Sequence, residues 1–366
     1  MNILVLCRSP AKGGLELYAH SVMRWAKAAG HLCVAVVAPS SMLQQRARDL
    51  SVPYVTLEPR GTLFPLLAAR KLARFIAQHD VDVVHMHWGK DLALAVLAKT
   101  LAHRPVRLVY TRQMNITRAK NDPYHRWLYR HVDKIIVISK LLLEQARRLL
   151  PIPADRVELL YYGVPDVAAA GSSPCADFLA NIGLGQRHLR VALFGRIEHA
   201  KGQHLLVEAI ARLVTQGLDV GAAIIGHPMD AVYFDRLKQT IRSRRLHGHI
   251  AIRSFVDNPM TIMKCFDAIV LATYCETFGL VLIEGMKAGV AVIGTNAGGV
   301  PDIIADGVTG LLFEPGDSTG LAGAISRLYR DRAFAEQLAV KGKRSVDTRF
   351  SEHRHFERLE AIFAGA

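Results

Sequence analysis

Short, continuously apolar runs alternate with amphipathic stretches along most of this chain. In the first half the apolar runs fall at 2–7, 32–38, 53–56, 81–86, 107–111 and 134–139, with helical periodicity between them. The first helix is predicted over 15–29, closing at Gly30 as a helix should. Strands that are apolar on both faces, separated by helices, predict a parallel sheet covered on each side. Right-handed crossovers then give a doubly wound, Rossmann-like fold.

Between 163 and 186 the pattern lapses into Gly-, Ala-, Ser- and Pro-rich sequence of linker type. It restarts with apolar runs at 189–194, 220–225, 250–253, 268–271 and 291–294, and helices predicted over 202–216, 230–245 and 280–288. From Ser318 onward the chain reads as amphipathic helix. The expected organisation is an α/β protein with an N-terminal domain over 1–165, a linker over 166–186 and a C-terminal domain over 187–348. A final helical segment over 349–366 is positioned to cross back to the first domain. Ligands of open α/β sheets bind outside the carboxyl ends of the strands, so a cleft between two such sheets is the expected site.

Length supports this reading, because 366 residues exceed what one hydrophobic core usually organises. The first apolar run is too short for a signal peptide, and no apolar run reaches the roughly 18–20 residues that span a bilayer. Five scattered cysteines without a CxxC pair suggest a cytoplasmic protein lacking a disulfide or metal framework. Charge is uneven. Residues 1–172 carry 24 Lys and Arg against 12 Asp and Glu, whereas the rest carries 22 against 20. A basic first half suggests an anionic partner, such as a phosphorylated glycan or the inner membrane face. Nucleic acid is disfavoured, since no recognition motif accompanies the charge.

Four segments carry candidate chemistry. Glu276-Thr277-Phe278-Gly279-Leu280 leads from a strand into a helix that contains Glu284. Helix-terminal N–H groups there suit a diphosphate. The two carboxylates suit hydroxyls of a sugar and a ribose. Gly195-Arg196 through Lys201-Gly202 forms a strand-to-helix loop whose two cations can converge on phosphate oxygens. In the first half, Gly13-Gly14 follows the first strand, and His85 and His87 lie on one face at the end of the fourth. His-x-His invites a metal reading, but no further ligand is evident.

Together these segments resemble the large retaining glycosyltransferase family 4, of GT-B fold. Glu276…Glu284 matches its E-x7-E element, Gly195-Arg196…Lys201-Gly202 its phosphate-clamp loop, and the stretch from Gly294 to Asp302 the segment after the next strand. The turn from Asp306 through Gly310 fits as well. The resemblance implies that Arg196 and Lys201 neutralise a donor diphosphate, that Glu284 holds ribose hydroxyls, and that Glu276 orients the donor sugar. It implies further that Thr277, Phe278, Gly279 and Leu280 approach sugar and phosphates, while Phe255 and Val256 pack the base. Gly13 and Gly14 would close over the donor and His87 would contact its sugar. Glu16, Arg112 and Gln113 are the acceptor-side candidates. Two positions depart from the family pattern: Gln113 stands where many relatives have histidine, and Tyr162 where they usually have asparagine.

The implied activity is retaining transfer of a hexose or N-acetylhexosamine from a UDP- or GDP-linked donor, with no metal or other cofactor. Glycan or lipid-linked acceptors of lipopolysaccharide core, capsule or other envelope polysaccharide would fit. A sugar-nucleotide epimerase built on paired Rossmann domains is the alternative. Incubation with donor alone separates the two, because only an epimerase returns an isomerised sugar nucleotide.

Overall fold

The computed structural model describes residues 1–59, 65–165, 175–254, 256 and 259–366. They form two compact units, one of Met1–Tyr161 with His355–Ala366 and one of Tyr162–Arg354. The first unit is a seven-stranded, wholly parallel sheet of β1 (Asn2–Cys7), β2 (Leu32–Val37), β3 (Tyr54–Thr56), β4 (Val83–Met86), β5 (Arg107–Arg112), β6 (Lys134–Val137) and β7 (Val157–Leu159). Its order is β3-β2-β1-β4-β5-β6-β7, so the winding reverses between β1 and β4. β1 is buried from Ile3 to Cys7 and pairs in register with β2 and β4, Leu4 opposite Val34 and Val84. That two-sided burial is why β1 reads as unbroken hydrophobe.

The second unit is a six-stranded parallel sheet of β8 (Leu189–Phe194), β9 (Val220–Ile225), β10 (Ile250–Arg253), β11 (Ala268–Leu271), β12 (Ala291–Thr295) and β13 (Leu311–Phe313). Its order β10-β9-β8-β11-β12-β13 reverses between β8 and β11. Both sheets are doubly wound, as the alternating pattern predicts. β7 and β13 are three-residue strands that the pattern does not reveal.

Local chemistry starts the helices where the sequence indicates. Asp122 caps Pro123–Arg130 by accepting from the His125 N–H at 3.0 Å, with Pro123 pre-set for the first turn. Asp230 accepts from Tyr233 N–H at 3.0 Å and starts Ala231–Ser243. The C-terminal helix Glu352–Ala364 packs in the first unit through its last residues: Phe356 stacks on Trp25 at 5.0 Å between ring centroids, and His355 accepts or donates a 2.9 Å bond with Tyr18.

One expectation is corrected. Cys175 and Cys265 form a disulfide, their Cα atoms 5.0 Å apart across 90 residues of sequence. Cys175 opens the short helix Cys175–Asn181, inside the stretch expected to be linker, and Leu179, Ile182 and Leu184 bury that segment in the second unit. Packing, and no sequence spacing, brings the two sulfurs together. Residues 166–174 of that stretch lie outside the described residues.

Candidate functional site

In each sheet the winding reversal opens a crevice at the carboxyl ends of two adjacent strands, β8 with β11 and β1 with β4. The loops that leave those strands carry the sequence candidates.

In the second unit the loop after β8 makes a single 3-10 turn, His199–Lys201, and enters helix Gln203–Thr215 through Gly202. Gly202 has φ +67°, and a Cβ there would lie 2.0 Å from the Ala272 carbonyl oxygen. Only glycine lets the loop rest on the end of β11 in this way. The consequence is a direct ion pair: Lys201 Nζ donates to Glu276 Oε2 at 2.7 Å, both side chains about one-fifth exposed (22% and 19%). Arg196 is exposed and pairs with Glu198 at 3.0 Å. The buried Gln203 side chain fixes its backbone by donating to the Arg196 carbonyl at 2.8 Å.

Glu276 is held from behind. Gly299 N–H donates to its carbonyl at 2.9 Å, and Gly298 (φ +64°) approaches so closely that a Cβ would sit 1.9 Å from that oxygen. The glycine pair in the segment after β12 therefore shapes the Glu276 loop. Its Oε1 accepts from the Thr277 N–H at 3.1 Å. The Phe278 ring is buried edge-on against Tyr162 and Phe350, at centroid distances of 5.2 and 6.0 Å. Gly279 caps helix Leu280–Lys287, whose first N–H groups lack intrahelical acceptors.

Glu284 lies just over one turn into that helix. It is half-buried, and its side chain makes no hydrogen bond or ion pair among the described residues. Burial pushes its carboxyl up to about 7. Such a group is poised to accept hydrogen bonds that the protein itself does not supply. Val256 is half-buried after β10, whereas Phe255 lies outside the described residues.

In the first unit Gly13 caps helix Gly14–Ala28, and the buried Glu16 turns back to accept from the Gly13 N–H at 2.8 Å. Glu16 thus spends its carboxylate on the loop backbone. A Cβ on Gly14 would meet no described atom within 4 Å, so packing does not demand glycine there. Arg112 is similarly engaged, donating to Tyr110 OH at 2.7 Å and to the Met114 and Asn115 carbonyls at 2.8 Å each. Those bonds pin the loop that Gln113 begins.

His87 is buried, with its Nδ1 3.5 Å from Gln113 Nε2 and its Nε2 without a partner among the described residues. Burial drives it down to about 3, so it is a neutral imidazole at physiological pH. The His85 ring lies tilted against it, 4.2 Å between centroids, and bonds Thr111 Oγ1 at 2.7 Å. Among the described residues no group of three or more His, Cys, Asp or Glu is placed to hold a metal ion.

Sequence reasoning missed Arg8. It is fully buried at the end of β1, with Nε on Asp91 at 2.8 Å and Nη1 on the Glu58 carbonyl at 2.6 Å, and its Nη2 has no partner among the described residues. Its place at the first sheet's reversal was a usable signal. Its partner, 83 positions away, was not.

Residues 157–345 match the profile of the family described as Glycosyl transferases group 1, and residues 12–167 that of Glycosyltransferase Family 4. The chain is similar to the N-acetyl-alpha-D-glucosaminyl L-malate synthase of Bacillus anthracis, 25% identical over 306 residues that cover 82% of this chain and 79% of the relative. It is also similar to the lipopolysaccharide core biosynthesis mannosyltransferase LpcC of Rhizobium leguminosarum bv. viciae, 26% identical over 287 residues, 77% of each chain. Among solved structures, HepE of Anabaena in complex with UDP superposes with a TM-score of 0.87 at 21% identity, covering 100% of both chains. At that identity the likeness speaks to the fold.

Proposed function

The chain belongs to the glycosyl transferases group 1 family, and from that premise we propose that this glycosyltransferase moves a hexose or N-acetylhexosamine from a UDP- or GDP-linked donor, with retention, to an anionic glycan or lipid-linked acceptor of the cell envelope. The observation that carries the donor reading is the Lys201–Glu276 pair at the β8/β11 reversal. A cation and a carboxylate 2.7 Å apart suit a donor, which carries phosphate and sugar hydroxyl side by side. In the free protein each satisfies the other; a donor satisfies both.

In the proposed reaction the bond from the anomeric carbon to the diphosphate oxygen breaks. The bond to the acceptor oxygen forms on the same face, and the departing phosphate takes the hydroxyl proton. Arg196, Lys201 and the N–H groups before Leu280 stabilise the leaving charge as preorganised donors. Glu276 orients the sugar, and Glu284 accepts from the ribose. We propose that no divalent metal takes part, because the two cations supply the neutralising charge. A panel of UDP-glucose, UDP-N-acetylglucosamine and GDP-mannose, each with and without EDTA, tests this. Release of one nucleotide unaffected by EDTA is expected, with product of unchanged anomeric configuration by proton NMR. Loss of turnover on chelation, inversion, or an isomerised donor without transfer would contradict it.

The elevated Glu284 carboxyl makes donor binding pH-dependent. Ribose hydroxyls donate to the ionised form, which is half-populated near pH 7. Sugar-nucleotide affinity is therefore expected to fall about tenfold per pH unit below 7, and Glu284→Gln to bind weakly with a flat profile. Calorimetry between pH 5.5 and 8 checks this; a flat wild-type profile counts against the assignment.

Two features of the first unit support an anionic acceptor at a membrane face. Arg118 and Lys120, in the loop that Arg112 pins, have no ion-pair partner among the described residues. Helix Leu66–Gln78 exposes Leu66 (52%) and Leu67 (81%) beside exposed Arg70, Lys71 and Arg74. Leucines entering the acyl boundary with cations on headgroups form a peripheral contact. No described helix is long and apolar enough to cross a membrane. Sedimentation with phosphatidylglycerol vesicles should retain the protein, and Leu67→Glu with Arg70→Glu should cut retention at least about tenfold. Equal retention would remove the helix from the account.

A further inference from the structure

Beside the clamp loop lies a polar and aromatic cluster that the donor assignment does not use: His199, His204, Tyr233 and Tyr274. His204 sits in the first turn of helix Gln203–Thr215, where its backbone N–H would otherwise lack an acceptor. Tyr233 OH, from helix Ala231–Ser243, takes that N–H at 3.1 Å and contacts His204 Nδ1 at 3.0 Å. The same hydroxyl donates to Gln203 Oε1 at 3.3 Å, which fixes its proton and leaves its oxygen to accept from Nδ1–H. His204 Nε2 is then the acceptor and receives the Tyr274 hydroxyl at 3.0 Å. His199 stacks on both rings, 4.6 Å from His204 and 5.6 Å from Tyr274.

The bonds join end to end. Gln203 Nε2 holds the Arg196 carbonyl, Gln203 Oε1 takes Tyr233, Tyr233 takes His204, and His204 takes Tyr274. Tyr274 is two residues from Glu276, and its N–H and the Thr273 hydroxyl both donate to the Ala200 carbonyl, at 3.2 and 3.1 Å. One continuous network therefore runs from the backbone of the first phosphate cation to the loop of the sugar-orienting carboxylate.

We propose that Tyr274 and His204 are positioning residues that keep Glu276 in register with Arg196 and Lys201 once Lys201 has turned from Glu276 to the donor diphosphate. This rests on the donor-site reading above. The free protein ties the two loops directly through Lys201–Glu276, and that tie is lost when the diphosphate arrives. What remains is the relay, plus the backbone bonds to Ala200. A displacement of about 1 Å at a reacting centre costs about a hundredfold in rate, so a tie that survives donor binding acts on turnover more than on affinity. His204 and Tyr274 touch neither phosphate nor sugar in this scheme; they act through Glu276.

The test uses the full chain and donor hydrolysis without acceptor, with UDP-glucose and GDP-mannose as probes. Tyr274→Phe and His204→Phe should each lower kcat about tenfold with donor KM within about twofold. The double variant should lose no more than the worse single, as for groups in one network. His204→Gln, which keeps a donor and an acceptor at similar spacing, should recover to within about threefold of wild type. Wild-type kcat in both Phe variants, with Lys201→Ala inactive, overturns the relay and leaves the donor site standing. Parallel loss of kcat and KM, or no recovery in His204→Gln, also overturns it, since that is what a merely structural role gives. Absence of wild-type turnover and of UDP or GDP binding removes the donor reading and this inference with it.

Discussion

Lys201→Ala and Glu276→Ala are each expected to lower sugar-nucleotide turnover by about 10²–10³-fold, with only the first weakening nucleotide binding. The magnitude is that of removing one preorganised electrostatic contact from a transition state. The difference follows from the ion pair. Lys201→Ala removes a cation from the diphosphate and weakens UDP or GDP binding. Glu276→Ala removes the carboxylate that competes with that diphosphate for Lys201 in the free protein. Its nucleotide affinity is therefore unchanged or higher while its kcat collapses. Calorimetry alongside steady-state kinetics checks both. Equal loss of nucleotide affinity in the two variants would mean that the pair is not a donor surrogate.

Acid is expected to unfold the first unit well before carboxylate protonation alone would require. His85, His87 and His355 are buried there as neutral imidazoles, all lowered chiefly by burial, His87 to about 3 and His355 to about 4. In the unfolded chain they return to about 6.5 and take up protons that the folded state refuses. Stability is therefore full above about pH 6.5 and is lost as pH falls through about 4 for His355 and about 3 for His87, by roughly 3–5 kcal/mol for each of these two, with His85 acting in the same direction. Losses of that size approach the whole stability of a domain. All three tryptophans, Trp25, Trp88 and Trp127, lie in this unit, so their fluorescence reports on it alone. A midpoint between pH 4 and 6 is expected; native emission maintained to pH 3 would contradict the buried neutral assignment.

The parallel strands were legible because burial on both faces writes them as uninterrupted hydrophobe. β1, β8, β9, β10 and β11 begin and end where their apolar runs do. β7 and β13 were not read, although β3, equally short and equally at an edge, was. Of the residues proposed for the donor, Arg196, Lys201, Glu276 and Glu284 were picked out by motif spacing, and the structure brings Lys201 and Glu276 into contact. What holds them could not be read. Tyr233, His204 and Tyr274 meet across 29 and 70 positions of sequence, Arg8 and Asp91 across 83, and the two disulfide cysteines across 90. Partners this distant leave no local period or spacing behind. The first unit shows the same limit: the sequence offered Glu16 and Arg112 as acceptor-side candidates, and only the structure reveals that Glu16 holds the Gly13 N–H and Arg112 the Met114 and Asn115 carbonyls.

The family membership fixes the class of chemistry, but the account stands on where the donor sits. The most direct measurement is a crystal structure with whichever of UDP and GDP binds more tightly. The account predicts the diphosphate within hydrogen-bond reach of Arg196 and Lys201, the ribose hydroxyls on Glu284, and the Lys201–Glu276 pair opened. A nucleotide held by the loops of the first unit instead, or one bound with Lys201 still on Glu276, would contradict it.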